Sequence, residues 1–116
     1  MKTVAVRGTL TLAIEGLNVL SALTHETFAK ELGSPFQLHW GAAAPLRLEL
    51  VSATEFARAS AGMRRTPFSL LFRGPRQPVL PQKIYPLEHD RLGRLEIFLV
   101  PIGPEGEGMR YEAVFT

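Results

Sequence analysis

Apolar residues recur at every second position through most of this 116-residue chain, and glycine or proline interrupts each run before it grows long. In "PFQLHW" Phe36, Leu38 and Trp40 alternate with Gln37 and His39; in "PLRLELVSA" Leu46, Leu48 and Leu50 alternate with Arg47 and Glu49. A two-residue period gives an extended strand one dry and one wet face, because successive side chains point to opposite sides of the pleat. "PFSLLFRG" and "EIFLVPIG" are denser in apolar residues, which predicts central strands packed on both sides. "KIYPLEH" carries Pro86, which has no N–H to give a ladder, so that strand is expected at an edge or bulged there.

The longest alternation lies near the N-terminus. Val4, Val6, Leu10, Leu12 and Ile14 of "VAVRGTLTLAIE" share one phase, with Gly8 a natural bend, and an extra strand is expected there. Arg7 and Glu15 interrupt what would have to be the uncharged core of a secretory signal, so the segment reads as folded chain. No run approaches the length of a membrane-spanning helix. The expectation is a soluble protein, cytoplasmic or assembled into a particle, with no membrane partner.

One stretch has a different period. In "LTHETFAKELG", Thr24 suits a helix N-cap, Glu26 lies in the first turn where the helix dipole favours an anion, and Gly33 suits a left-handed C-terminal position. Leu23, Phe28 and Leu32 would then form its apolar stripe, and a short helix is expected near residues 25–32. The whole chain therefore reads as a single domain, mainly β, built as a small antiparallel barrel or sandwich with one short α-helix.

"EHDRLGRLE" and "PIGPEGEGMRY" read as hairpin connections. The second has the glycines of a phosphate loop, but Glu105 and Glu107 stand where the anion would sit, Pro104 removes a donor, and a strand follows instead of a helix. "ASAGMRRT" and "GPRQPVLPQ" are the basic loops, and the prolines of the second make it stiff enough to serve as a contact surface.

Catalytic constellations are thin. The chain has no cysteine, which removes thiolate metal sites and disulfides. His25, His39 and His89 show no metal-ligand spacing, so neither a metal nor a cofactor is expected. Ser69 lacks the G-x-S-x-G setting of a strained nucleophile. Glu88 and His89 are neighbours on a strand, so they point to opposite faces and cannot act on each other.

Charge is unevenly spread. Residues 58–94 hold eight basic residues against two acidic, a balance of +6, and the remainder holds five against nine, −4, within a total of +2. Such polarity suits head-to-tail self-association, an acidic partner or nucleic acid, and it equally suits a solvated surface. Arg64, Arg65, Arg73 and Arg76 would be the nucleic-acid contacts, but Phe68 and Phe72 share the phase of Leu70 and so are expected in the core, where they cannot stack on bases.

The segments "LTHETFAKELGSPFQL", "TPFSLLFRGP", "LPQKIYPLEH", "LGRLEIFLVPIGP" and "MRYEAVFT", taken in order, resemble a small bacterial domain family of unknown function. The resemblance runs from about Leu20 to the C-terminus and implies no activity and no catalytic residue. It implies an association with phage-tail-like genes, and hence an assembly or accessory role. Residues 1–19 fall outside it, and Pro86 stands where a non-proline residue is expected.

The leading expectation is a non-enzymatic interaction or assembly module that self-associates through its N-terminal strand or meets a protein partner. Candidate contacts are Arg64, Arg65, Arg73, Arg76, Glu88, His89, Glu105, Glu107 and Arg110. The alternative is a small barrel that binds or processes an anionic ligand, with Arg73, Arg76 and Arg110 as cations and Glu88 and His89 as proton-transfer groups. Nucleic-acid binding through the basic segment stands third.

Overall fold

A computed structural model of the protein describes residues 23–55 and 66–116. The N-terminal alternation, and the loop that carries Arg64 and Arg65, lie outside the described residues.

The described chain is a closed antiparallel barrel. After a short helix α1 (His25–Ala29) come strands β1 (Pro35–Leu38), β2 (Leu46–Glu55), β3 (Phe68–Pro75), β4 (Lys83–His89), β5 (Gly93–Glu105) and β6 (Gly108–Phe115). Around the barrel they run β1-β2-β3-β6-β5-β4, and β4 closes back onto β1 through Gln37↔Glu88 and Leu38↔Leu87. Between barrel and sandwich, the structure decides for the barrel.

The sequence alternation maps onto the inner and outer walls. Phe36, Leu38, Leu48, Leu50, Phe68 and Phe72 are fully buried, and their polar neighbours face out. On β2 the phase changes at a bulge: pairing with β3 runs through Leu50↔Phe72 and resumes at Ser52↔Leu71, so Val51 is the extra residue and is turned outward.

Four expectations need correction. First, α1 ends at Ala29, and turns carry the chain on to Gly33 at φ +82°. Leu32 therefore never joins the apolar stripe and is half exposed, while Glu31 is turned inward in its place. Second, β5 is not packed on both sides, because a barrel has one dry interior; Phe98 and Ile102 face solvent.

Third, β4 is neither an edge nor bulged against β5, since its register runs unbroken from Lys83↔Leu99 to His89↔Gly93. The carbonyl of Pro86 accepts the N–H of His39 at 3.0 Å. In an antiparallel ladder the nitrogen and carbonyl of one residue point the same way. The missing N–H of Pro86 therefore lies on the β1 side, and the β5 ladder loses nothing.

Fourth, "GPRQPVLPQ" is not simply an exposed stiff loop. It crosses from β3 to β4, which are not neighbours, and buries Leu80 in the core with the Leu80 N–H donating to the Tyr111 hydroxyl at 3.0 Å. Phe28 of α1 fills the opposite end, its ring 6.0 Å from that of Phe68 and 5.6 Å from that of Phe115. The interior is thus a packed core plugged at both ends. A close approach of strands accompanies this packing: a Cβ on Gly74 would lie 2.6 Å from Leu48 Cδ2, which leaves no room for a side chain.

The helix cap follows the sequence. Thr24 precedes α1 in extended conformation, and its N–H donates to Thr27 Oγ1 at 3.1 Å, so threonine takes the place that Glu or Gln holds in a capping box.

Candidate functional site

The cations predicted as a site fall on the outer wall, in a row set by strand register. Glu49 of β2 stands opposite Arg73 of β3, which stands opposite Arg110 of β6, which stands opposite Gly103 of β5. Each cation is already engaged. Arg73 Nη2 donates to Glu49 Oε1 at 2.9 Å, Arg110 Nε to the Gly103 carbonyl at 3.4 Å, and Arg76 Nη1 to the Gly106 carbonyl at 2.8 Å. Glu105 and Glu107 flank that last contact at the exposed tip of the β5–β6 hairpin. The basic loop and the acidic tip thus meet within one chain. Exposed pairs of this kind contribute little to stability.

Glu88 and His89 point to opposite faces, as their adjacency requires. Glu88 Oε1 lies 2.8 Å from His39 Nε2 on the exposed wall, whereas the His89 side chain is only 1 % exposed. His25 Nε2 is bonded to the Ala53 carbonyl, so the three histidines have separate surroundings. Among the described residues no three His, Cys, Asp or Glu side chains come together as a metal site.

Around His89 the fold assembles a buried polar cluster that sequence reasoning missed. His89 Nδ1 accepts two backbone N–H groups, from Arg91 at 3.1 Å and Leu92 at 3.2 Å. A ring nitrogen that accepts cannot carry the proton, so the neutral ring is protonated on Nε2 and donates to Ser34 Oγ at 2.8 Å. The Ser34 hydroxyl in turn donates to the Glu31 carbonyl at 2.6 Å. The Glu31 carboxylate, 8 % exposed, receives Arg91 Nε on Oε1 at 2.9 Å and on Oε2 at 3.0 Å, and Arg91 Nη2 also donates to Oε1.

The arrangement superficially resembles a Ser-His-acid triad, but the hydrogens run the wrong way. A general base toward serine needs a lone pair on the nitrogen facing the hydroxyl, with the acid on the other nitrogen. Here that nitrogen donates, the other is held by the β4–β5 turn, and the hydroxyl proton is committed to a carbonyl. The cluster ties the turn after α1 to the β4–β5 hairpin; it is a structural lock. Nothing in the sequence marks it, because Glu31 and Arg91 are 60 positions apart.

The lock makes stability depend on pH. Burial lowers the His89 pKa from its ordinary 6.5, more than the nearby Glu31 carboxylate raises it. The Arg91 hydrogen bonds lower that of Glu31 from 4.5 against the opposing effect of burial. For both groups the folded value lies below the unfolded one, so their stabilisation is complete above the unfolded pKa and drains away as pH falls toward the folded pKa. The urea midpoint should be flat above about pH 7, fall in a first stage below about 6.5 and in a second below about 4.5. His89→Gln should remove the first stage and keep the second; a wild-type midpoint equal at about pH 7.5 and about pH 5 would contradict this origin.

A second feature of the outer wall is apolar. Ile84 of β4 stands opposite Phe98 of β5, and Val114 of β6 lies across a groove from Phe98. These three are 58 %, 49 % and 54 % exposed. The sequence held a signal for them, since each is apolar at a position whose phase is opposite to that of the core.

Residues 23–115 match the family described as Domain of unknown function (DUF6916). No curated protein and no solved structure matches the chain.

Proposed function

The chain belongs to this family of domains of unknown function, and we propose that it is a non-enzymatic assembly module: a rigid barrel that self-associates through its N-terminal segment. The observation that carries this reading is the apolar row Ile84, Phe98 and Val114, three large side chains half or more exposed on neighbouring strands of one wall. A contiguous apolar patch on the outside of a barrel whose inside is packed solid is a contact surface. The charge route to self-association has less support, because Arg73 and Arg76 are engaged within their own chain. An accessory subunit of a phage-tail-like or surface structure is a setting that suits such a module.

Sedimentation of the full chain and of a chain lacking residues 1–16 tests the reading. The full chain should assemble with rising concentration and the shortened one should remain a single copy. Monomers in both cases would overturn it.

A further inference from the structure

Protonation of His89 costs stability, and the hydrogen bonds around its ring decide which part of the chain gives way. One end of the ring is indifferent to the charge: Nε2 donates to Ser34 Oγ in the neutral form and has the same proton to donate in the imidazolium. The other end is reversed. Nδ1 accepts the N–H of Arg91 at 3.1 Å and that of Leu92 at 3.2 Å, and once it carries a proton it can accept neither, so three N–H groups converge with no lone pair among them. Among the described residues no backbone carbonyl receives either amide, so both are fastened through this one nitrogen. The two sides differ in freedom. The ring is buried and lies 4.4 Å from that of Phe36, whereas Asp90 and Arg91 are exposed and Leu92 packs only partly against the core. It is the turn that can move.

We propose that the β4–β5 tip is an acid-released latch: a neutral His89 holds residues 90–92 against the barrel, and a proton on Nδ1 frees them and uncovers the Leu92 side chain while the strand ladders stay closed. The charges that act on the ring come from two places. Glu31, in the turn after α1, has its carboxylate 3.4 Å from Nε2 and favours the imidazolium, as does Asp90 of the tip; Arg91 opposes it, and burial opposes it most. The strands add no charge on that side. β1 contributes the Phe36 ring, Glu88 of β4 meets His39 on the outer wall, and Arg94 of β5 is paired outside with Glu96. The ion pair of Arg91 with Glu31 limits the movement. Its hydrogen bonds keep the Glu31 pKa below the ordinary 4.5, so between about pH 5 and 6.5 the pair stays ionised and tethers a tip whose backbone is free. The latch belongs to each copy and does not depend on assembly.

Amide hydrogen exchange on the full chain, read by NMR as protection factors from about pH 7.5 to about pH 5, tests the latch. Protection of the Arg91 and Leu92 amides should fall by up to about tenfold per pH unit below about pH 6.5, the mark of one proton taken up on opening, while amides of β3 and β6 stay better protected at every pH. Over the same range the Leu92 methyl signals should become sensitive to a paramagnetic probe in the solvent. In His89→Asn the side-chain carbonyl can receive both N–H groups and does not titrate, so the tip should hold one level of protection throughout. Tip amides whose protection ignores pH, or Leu92 methyls that stay shielded, would overturn the proposal. Equal protection of tip and ladder amides would also overturn it, because acid would then be opening the whole barrel. A His89→Asn tip that loosens with acid as the parent does would place the titrating group elsewhere and overturn it too. If that variant does not fold, the readings on the parent chain decide the matter by themselves.

Discussion

Replacing Phe28 by alanine should destabilise the barrel by about 3–5 kcal/mol, the usual cost of emptying a fully buried aromatic site. The ring is fully buried and packs on Phe68 and Phe115 at the barrel end that α1 covers. The cavity cannot collapse easily, because those two rings belong to paired strands and are stacked on each other, with centroids 4.8 Å apart. Leu32→Ala is the informative comparison. Both residues belong to the stripe expected from a helix over 25–32, yet Leu32 is half exposed, so its replacement should cost no more than about 0.5 kcal/mol. Urea denaturation of the two variants at one pH measures the difference. Equal losses would mean that the helix continues past Ala29 and carries Leu32 inward.

His89→Ala should be the next most damaging change, at about 3 kcal/mol, from the lost ring together with the stranded polar groups. The substitution leaves the N–H groups of Arg91 and Leu92 and the hydroxyl of Ser34 without their partner, and removes a ring that packs 4.4 Å from that of Phe36. For a domain near this size such a loss lowers Tm by roughly 10–20 °C. Thermal unfolding monitored by circular dichroism reads it directly. Ser34→Ala should cost less, because the loop then loses one hydroxyl and its two hydrogen bonds but keeps the His89 ring and the turn bonded to it. A His89→Ala protein as stable as the parent would show that the β4–β5 turn holds without the ring.

Much of the fold was legible residue by residue. The alternations around Leu38 and Leu48 and the shared phase of Phe68, Leu70 and Phe72 assigned the inner wall correctly, and Gly106 and Gly93 sit with positive φ in the two hairpin turns expected from "PIGPEGEGMRY" and "EHDRLGRLE". The N-cap at Thr24 was legible too. What failed was each step from one strand to its surroundings. Phe98 and Ile102 looked like evidence for burial on both faces, and Pro86 looked like an edge, because apolar density and a missing N–H report a local property without saying which neighbour stands beside it. The candidate cations were legible as a cluster in sequence, but only strand register shows that Arg73 faces Glu49, and only the folded course of the loop after β3 shows that Arg76 reaches the Gly106 carbonyl.

Side-chain phase in a strand has a period of two whatever the strand pairs with, so the sequence by itself determined the described strands, most of their dry faces and the turns between them. Closure of β4 onto β1, the crossing of Leu80 over one barrel end, and the meeting of Ser34 with His89 across 55 positions are contacts between distant segments. No local pattern encodes them. They arise because six short strands can bury their dry faces together only by wrapping into a barrel, and that wrapping chooses which polar groups are locked inside and which apolar ones are left on the wall.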